Sequence, residues 1–278
     1  MNTETCLLTH FILNDYVEST CNFIPKDITQ GTVIYEVIRV IDSIPIFLSE
    51  HVTRFFNSIS LSGNRVKFTD VEISNRIITL ISLNRMSIGN IRFQVSFAHN
   101  DKTTFSAWIT PYSYPTQSQY SEGVKVISAN KQRKNPNLKI RNQELKDDIS
   151  EIIKNNKIYE VLLLNENGLI TEGSRSNIFF IRNNEILTPK IKNILPGITR
   201  QKIMELSSEH RKPIKETDIY MDELNSFAGA FLSGTSPGIL PVSNIDGVAF
   251  DPANHEIMQL SKLYNNLIDK YTKSFNQH

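Results

Sequence analysis

Short apolar runs separated by polar turn residues open the chain. Leu7 to Leu13, Asn14-Asp15 and Tyr16-Val17 read as a short β-hairpin, with the Asn-Asp pair supplying the turn. Val33 to Val40 is β-branched and aromatic, and with Ile44 to Leu48 it frames a second turn at Asp42-Ser43. The period then changes. Ser49 is the expected N-cap of a helix whose apolar face is Val52, Phe55, Phe56 and Ile59. A second helix is expected from about Val71 to Leu83, and strands over Ile91 to Phe97 and Thr104 to Ile109, joined across Asn100-Asp101. Pro111 to Ser121 breaks the pattern with prolines, serines and tyrosines. It predicts a linker over 115–122, between a small N-terminal α/β domain (1–114) and a larger C-terminal domain (123–278).

The second half predicts a strand at Val124 to Ser128, a helix from Ile140 to about Asn155, and a buried strand at Tyr159 to Leu164. A hairpin follows over Asn183-Asn184, then a helix opening near Gly197-Ile198-Thr199 and a strand from Phe227 to Leu232. Asp246-Gly247 marks a late hairpin, and a last helix is expected from about His255 to Tyr271.

At 278 residues the chain is long enough for a two-domain enzyme. Its formal charge of +1 lacks the basic excess of a general nucleic-acid surface. No apolar run is long enough to span a bilayer, and Met1 to Thr5 lacks the basic start and apolar core of a secretory leader, so a cytoplasmic protein is expected. Cys6 and Cys21 are read as free thiols, and their spacing carries no metal motif.

Glu172 lies among Leu169, Ile170, Ile178 and Phe179, which pull it inward, and a buried carboxylate is costly unless it faces a cation or hydrogen-bond donors. Several further segments stand in a recognisable order. They are Tyr35-Glu36-Val37-Ile38-Arg39-Val40, Glu50-His51-Val52-Thr53-Arg54 and Leu138-Lys139-Ile140-Arg141-Asn142. Thr171-Glu172-Gly173 with Asn177, Leu195-Pro196-Gly197-Ile198-Thr199-Arg200, and Ser233-Gly234-Thr235 running to Pro241-Val242 follow. Together they resemble the class IV, or fold type IV, pyridoxal phosphate enzymes: branched-chain and D-amino acid aminotransferases and aminodeoxychorismate lyases.

The resemblance implies an α/β (α+β) fold of two domains, the larger a mixed, β-barrel-like domain with helices, and a homodimer. It implies pyridoxal 5'-phosphate as cofactor. Lys139, three residues before Asn142, would be the Schiff-base lysine and the catalytic base, ahead of Lys134 and Lys146. Glu172 would pair with the pyridine nitrogen. Arg54, Ile198 and Thr199 at a helix start, and Thr235 with Ser236, would hold the phosphate. Leu195 would back the ring, and His51 would make a structural hydrogen bond. Tyr35 and Arg92 fall on positions that face the substrate. Asn90 departs from the tyrosine usual in the branched-chain enzymes, and no Arg-x-His carboxylate trap is evident in Phe97 to Lys102. Arg175 either binds a substrate carboxylate or points to solvent.

The implied activity is transfer of an amino group between an amino acid, branched-chain among the candidates, and a 2-oxo acid. A lyase of the aminodeoxychorismate type, releasing pyruvate, is the alternative. A catalytically silent binding protein of the same fold is the third.

Overall fold

The computed structural model describes residues 4–98 and 102–275. The expected Asn100-Asp101 turn, and the His99 to Asp101 part of the stretch searched for a carboxylate trap, lie outside the described residues.

Residues up to Ser113, with Leu138–Arg141 and those from Asp269 on, form one compact unit. Its elements are β1 (Leu7–Leu13), β2 (Tyr16–Ser19), β3 (Thr32–Ile41), β4 (Ile44–Pro45), α1 (Leu48–Leu61), α2 (Asp70–Leu83), β5 (Gly89–Phe97) and β6 (Thr103–Thr110). The strands form an antiparallel six-stranded sheet in the order β2-β1-β6-β5-β3-β4. Strand pleating sends alternate side chains to opposite faces. Ile34, Ile38 and Val40 of β3 and Ile91, Phe93 and Val95 of β5 therefore meet Val52, Phe55 and Ile59 of α1 and Ile73, Ile77 and Leu80 of α2. Burying a side chain of this size contributes about 1.5–3 kcal/mol each.

The start of the first helix differs from the sequence expectation because its cap is not a small polar side chain. α1 begins at Leu48 behind Phe47, which takes a left-handed conformation (φ 56°), so Ser49 sits inside the first turn. There its hydroxyl donates to Glu50 instead of capping. α2 carries a reciprocal capping box between Thr69 and Glu72. Ile78 of α2 is exposed, while Ile73, Ile77, Leu80 and Ile81 are buried.

Residues 114–137 and 142–268 form the second unit. It contains α3 (Gln117–Glu122), β7 (Val124–Ala129), α4 (Gln143–Asn156), β8 (Glu160–Leu164), β9 (Ile170–Gly173), β10 (Asn177–Arg182), β11 (Glu185–Pro189), α5 (Ile198–Glu209), β12 (Lys215–Thr217), β13 (Gly229–Gly234), β14 (Gly238–Ile245) and β15 (Val248–Ala249). α6 (His255–Phe275) ends the described chain. Eight strands run in the order β12-β11-β10-β13-β14-β7-β8-β9, with β15 paired to β14. The sheet is mixed: β11–β12, β14–β7 and β7–β8 are parallel, and the other pairs are antiparallel.

The stretch expected to be a linker contains α3, opened by a capping box between Thr116 and Gln119. α4 starts at Gln143, not Ile140, because the Asn142 side chain accepts from Leu145 N and caps the helix there. Lys139 to Arg141 are thereby kept extended. Both cysteines are free thiols. Among the described residues no helix is long and apolar enough to cross a membrane.

Candidate functional site

In the first unit, a short extended segment brings the lysine to the sheet. Tyr35 N donates to Lys139 O at 3.0 Å, and Arg141 N donates to Val33 O at 2.8 Å, with Ile140 bridging to Ile34. Ile140 packs with the core that buries Ile34. The pleat therefore turns Lys139 and Arg141 to the opposite face, the face of Tyr35. The β3–β5 register, with Val37 opposite Arg92 and Tyr35 opposite Gln94, adds Arg92 and Gln94 to that face.

The side chains meet there. Lys139 Nζ lies 5.2 Å from the centroid of the Tyr35 ring, and the Arg92 guanidinium lies 4.3 Å from the same centroid and 5.4 Å from that of Trp108. Arg92 Nε donates to Gln94 Oε1 at 3.0 Å, and Gln94 Nε2 donates to Ile28 O. One oxygen of Glu4 sits 3.3 Å from Arg92 Nη1 and 3.7 Å from Arg141 Nε. Burial lowers the pKa of Arg92 from the usual guanidinium value; the charge of Arg141 acts in the same direction, and Glu4 and Tyr35 oppose it.

The other face holds a second charge cluster. Arg54 donates through Nε and Nη2 to the two oxygens of Glu36, each at 2.7 Å, and His51 Nδ1 donates to Glu36 Oε2 at 2.9 Å. Glu36 is wholly buried. Burial alone would raise its pKa, but the Arg54 charge and the His51 and Arg54 hydrogen bonds outweigh it and hold the carboxyl well below the usual range. His51 makes the structural hydrogen bond expected of it. Glu36 was missed, although a carboxylate at an inward position of an apolar strand was a visible signal.

In the second unit, Glu172 is buried on β9. Its Oε1 lies 2.9 Å from Arg133 Nε, and its Oε2 accepts from Leu195 N at 3.1 Å. Arg133 Nη2 also donates to Ser174 O at 2.7 Å. The cation that Glu172 requires is thus supplied by the basic stretch before Lys139, a pairing the sequence did not reveal. Leu195 O accepts from Asn177 Nδ2 at 3.0 Å, so Leu195 is held at both backbone groups.

Two residues on, Gly197 is the N-cap of α5, without a side-chain cap. A Cβ there would fall 2.0 Å from Asn177 Oδ1. Ile198 and Thr199 are buried in the first turn of α5. Thr235 and Ser236 form the turn between β13 and β14. Arg175 is exposed, and its Nη2 donates to Tyr159 O at 2.9 Å. Beside it, buried Glu160 accepts from Ser174 Oγ, Arg175 N and Ser176 Oγ.

These groups fit pyridoxal phosphate. A helix start whose N–H groups lack a side-chain cap, with a glycine at its mouth, suits a phosphate. A buried carboxylate suits a cationic ring nitrogen, and a lysine on a face lined by an aromatic ring and arginines suits an amine that must meet a carboxylate substrate.

The comparisons agree with that chemistry. The family profile described as amino-transferase class IV matches residues 33–245. A D-alanine aminotransferase of Bacillus licheniformis is 31% identical over 232 residues, covering 78% of this chain and 80% of the relative. The solved branched-chain amino acid aminotransferase of T.th. with pyridoxamine 5'-phosphate superposes with a TM-score of 0.83 at 20% identity, over 95% of each chain. A putative 4-amino-4-deoxychorismate lyase from Legionella pneumophila gives 0.77 at 24% identity, over 85% of this chain and 91% of its own. At these identities the two structures bear on the fold alone.

Proposed function

The chain belongs to the class IV amino-transferase family, a family of pyridoxal phosphate-dependent transaminases, and from that premise we propose that Lys139 is its catalytic amine. When bound, the cofactor supplies an electron-withdrawing ring that takes up the electron pair left when the Cα–H bond of an amino acid breaks. Lys139 Nζ holds the cofactor and then takes the proton from the substrate Cα. Glu172 holds a proton on the ring nitrogen, with Arg133 supplying the opposite charge its own burial requires.

Arg54 contributes a guanidinium to the phosphate, fixed in direction by Glu36. Ile198 and Thr199 offer the N–H groups of the α5 start, Thr235 and Ser236 offer turn donors, and Leu195 gives the ring an apolar wall. Tyr35 and Arg92 face the substrate. The exposure of Arg175 and its bond to Tyr159 O support its alternative reading as a surface charge. The reaction moves an amino group from an amino acid to a 2-oxo acid. Relatives named for D-alanine and for branched-chain substrates make both donor classes the first to try. Family resemblance supports a homodimer acting in the cytoplasm, with the first compact unit as its small domain.

The observation that carries this reading is Lys139 held by β3 on the face that bears Tyr35 and Arg92. The test is the absorbance spectrum of the purified protein with single L- and D-amino acids, beside Lys139→Ala. A visible cofactor band that bleaches with particular amino acids in the wild type, and does not respond in the variant, is expected. No band after adding pyridoxal phosphate would sink the reading. A band that no amino acid bleaches, with pyruvate released from aminodeoxychorismate, would turn it to the lyase.

A further inference from the structure

Asn137 stands two residues before Lys139 and has no part in the chemistry assigned above. Its side chain nevertheless makes two short bonds. Nδ2 donates to Ile191 O and to Ile194 O, each at 2.8 Å. A side-chain amide nitrogen carries two N–H groups, and both are used here. The two carbonyls begin and close a short turn at Ile191–Asn193, and the next residue of the chain is Leu195. The start of that turn is also anchored, because Ile191 N donates to Glu216 Oε2 at 3.1 Å.

The carbonyl of Ile194 and the N–H of Leu195 belong to one peptide unit, which is planar. Asn137 holds its oxygen, and Glu172 Oε2 accepts from its nitrogen at 3.1 Å. The peptide is trans, so the two groups point to opposite sides. Asn137 and Glu172 therefore grip one plane from opposite edges. Turning that plane to lengthen one bond strains the other. Arg133, four residues before Asn137, closes a ring of contacts by meeting Glu172 Oε1 at 2.9 Å. Members of a closed polar network reinforce one another.

We propose that Asn137 is a positioning residue for the cofactor ring. By fixing the plane of the Ile194–Leu195 peptide it fixes the direction of the Glu172 carboxylate and the place of the Leu195 side chain. It touches neither cofactor nor substrate and acts through these two residues. Groups that must meet a ligand in one geometry depend on such supporting bonds. The proposal rests on the reading that Glu172 and Leu195 meet the ring.

The test strips the protein of cofactor and measures binding of pyridoxal phosphate, of pyridoxal and of inorganic phosphate by calorimetry. Asn137→Ala is expected to weaken pyridoxal and pyridoxal phosphate by the same factor, about fivefold or more, through loss of two hydrogen bonds. Inorganic phosphate should bind as before. Asn137→Asp keeps the shape but has no amide donor, and should follow Asn137→Ala. Ser207→Ala removes a buried hydrogen bond to Lys212 O toward the other end of α5 and controls for general loss of stability. All three ligands should bind it as they bind the wild type.

Unchanged affinity for pyridoxal, or equal weakening of inorganic phosphate, would overturn the proposal. Equal weakening in Ser207→Ala would do the same. A wild type that takes up no pyridoxal phosphate would instead sink the reading beneath it. The link between Asn137 and Glu172 is then judged in the stripped protein by urea denaturation. Asn137→Ala and Glu172→Gln together should destabilise less than the sum of the two, and strict additivity would overturn Asn137 as a support of Glu172.

Discussion

Arg133 Nε lies 2.9 Å from Glu172 Oε1, joining the basic approach to Lys139 to a carboxylate buried on β9. Leu195 N satisfies the other oxygen of Glu172, and Ser174 O takes a second donor of Arg133. Removing one partner of such a pair leaves a buried charge uncompensated, which costs more than the pair contributes.

Arg133→Met should therefore destabilise the protein by about 3 kcal/mol, less than a fully buried pair because Arg133 keeps some exposure. Glu172→Gln in the same background should recover part of that loss, giving a coupling of about 1–3 kcal/mol in a double-mutant cycle. Urea denaturation of the four proteins at one pH measures it. Simple additivity would show that the two side chains do not sense each other.

The Glu36–His51–Arg54 cluster makes stability depend on pH. Glu36 has a lowered pKa, so its contribution is present above the unfolded carboxyl value of about 4.3 and is lost as pH falls through the folded value. His51 is also lowered, chiefly by burial, which outweighs the hydrogen bond to Glu36. Its neutral ring, with the proton on Nδ1, leaves one negative and one positive charge in the cluster. The unfolded chain binds a proton on this histidine near pH 6.5 and the folded one does not, so stability declines as pH falls below about 6.5. Urea midpoints from about pH 8 to about pH 2.5 should show both limbs, and His51→Gln should flatten the upper one while leaving the lower one in place. An unchanged upper limb in the variant would remove His51 as its source.

Much of the fold could be read locally. The hairpins turning at Asn14-Asp15, Asp42-Ser43 and Asn183-Asn184 carry polar turn residues between apolar runs, and the inward placement of Glu172 followed from its neighbours. What escaped depended on distant partners. Lys139 to Arg141 stay extended because β3 receives their backbone groups, while nearby Asn142 caps α4. β12 is three polar residues, stranded only because β11 lies beside it. Arg133 meets Glu172 only through the fold, 39 positions apart in the chain. Phe47 in a left-handed conformation displaced a cap that Ser49 advertised.

Gly197 should tolerate no side chain, for reasons of space rather than backbone angle, since its φ is −66°. A Cβ would collide with Asn177 Oδ1, and Asn177 holds Leu195 O. Overpacking of this kind costs about 1–3 kcal/mol. Because the collision lies at the N-terminus of α5, Gly197→Ala should weaken pyridoxal phosphate binding about tenfold, a loss of about 1.4 kcal/mol. Fluorescence titration of cofactor-stripped protein reads this. Asn177→Ser in the same chain makes room and should restore part of the affinity, whereas affinity unchanged by Gly197→Ala would separate this helix start from the cofactor.

Glu160 is a buried acceptor of four hydrogen bonds in the second unit. One of its oxygens accepts from Val161 N at 2.9 Å and Ser174 Oγ at 2.5 Å, the other from Arg175 N at 3.2 Å and Ser176 Oγ at 3.0 Å. Either orientation of a glutamine amide here would turn an NH₂ group toward a backbone N–H. The serines can rotate their hydroxyls to accept; the backbone cannot. Glu160→Gln should thus cost about 1–3 kcal/mol, the penalty of an unsatisfied buried donor, while Ser176→Ala should cost about 1 kcal/mol. The same turn presents Ser174 O to Arg133, so Glu160→Gln should also loosen Arg133 against Glu172. Combining Glu160→Gln with Arg133→Met should then give less destabilisation than the sum of the two. A strictly additive result in urea would confine Glu160 to holding its own turn.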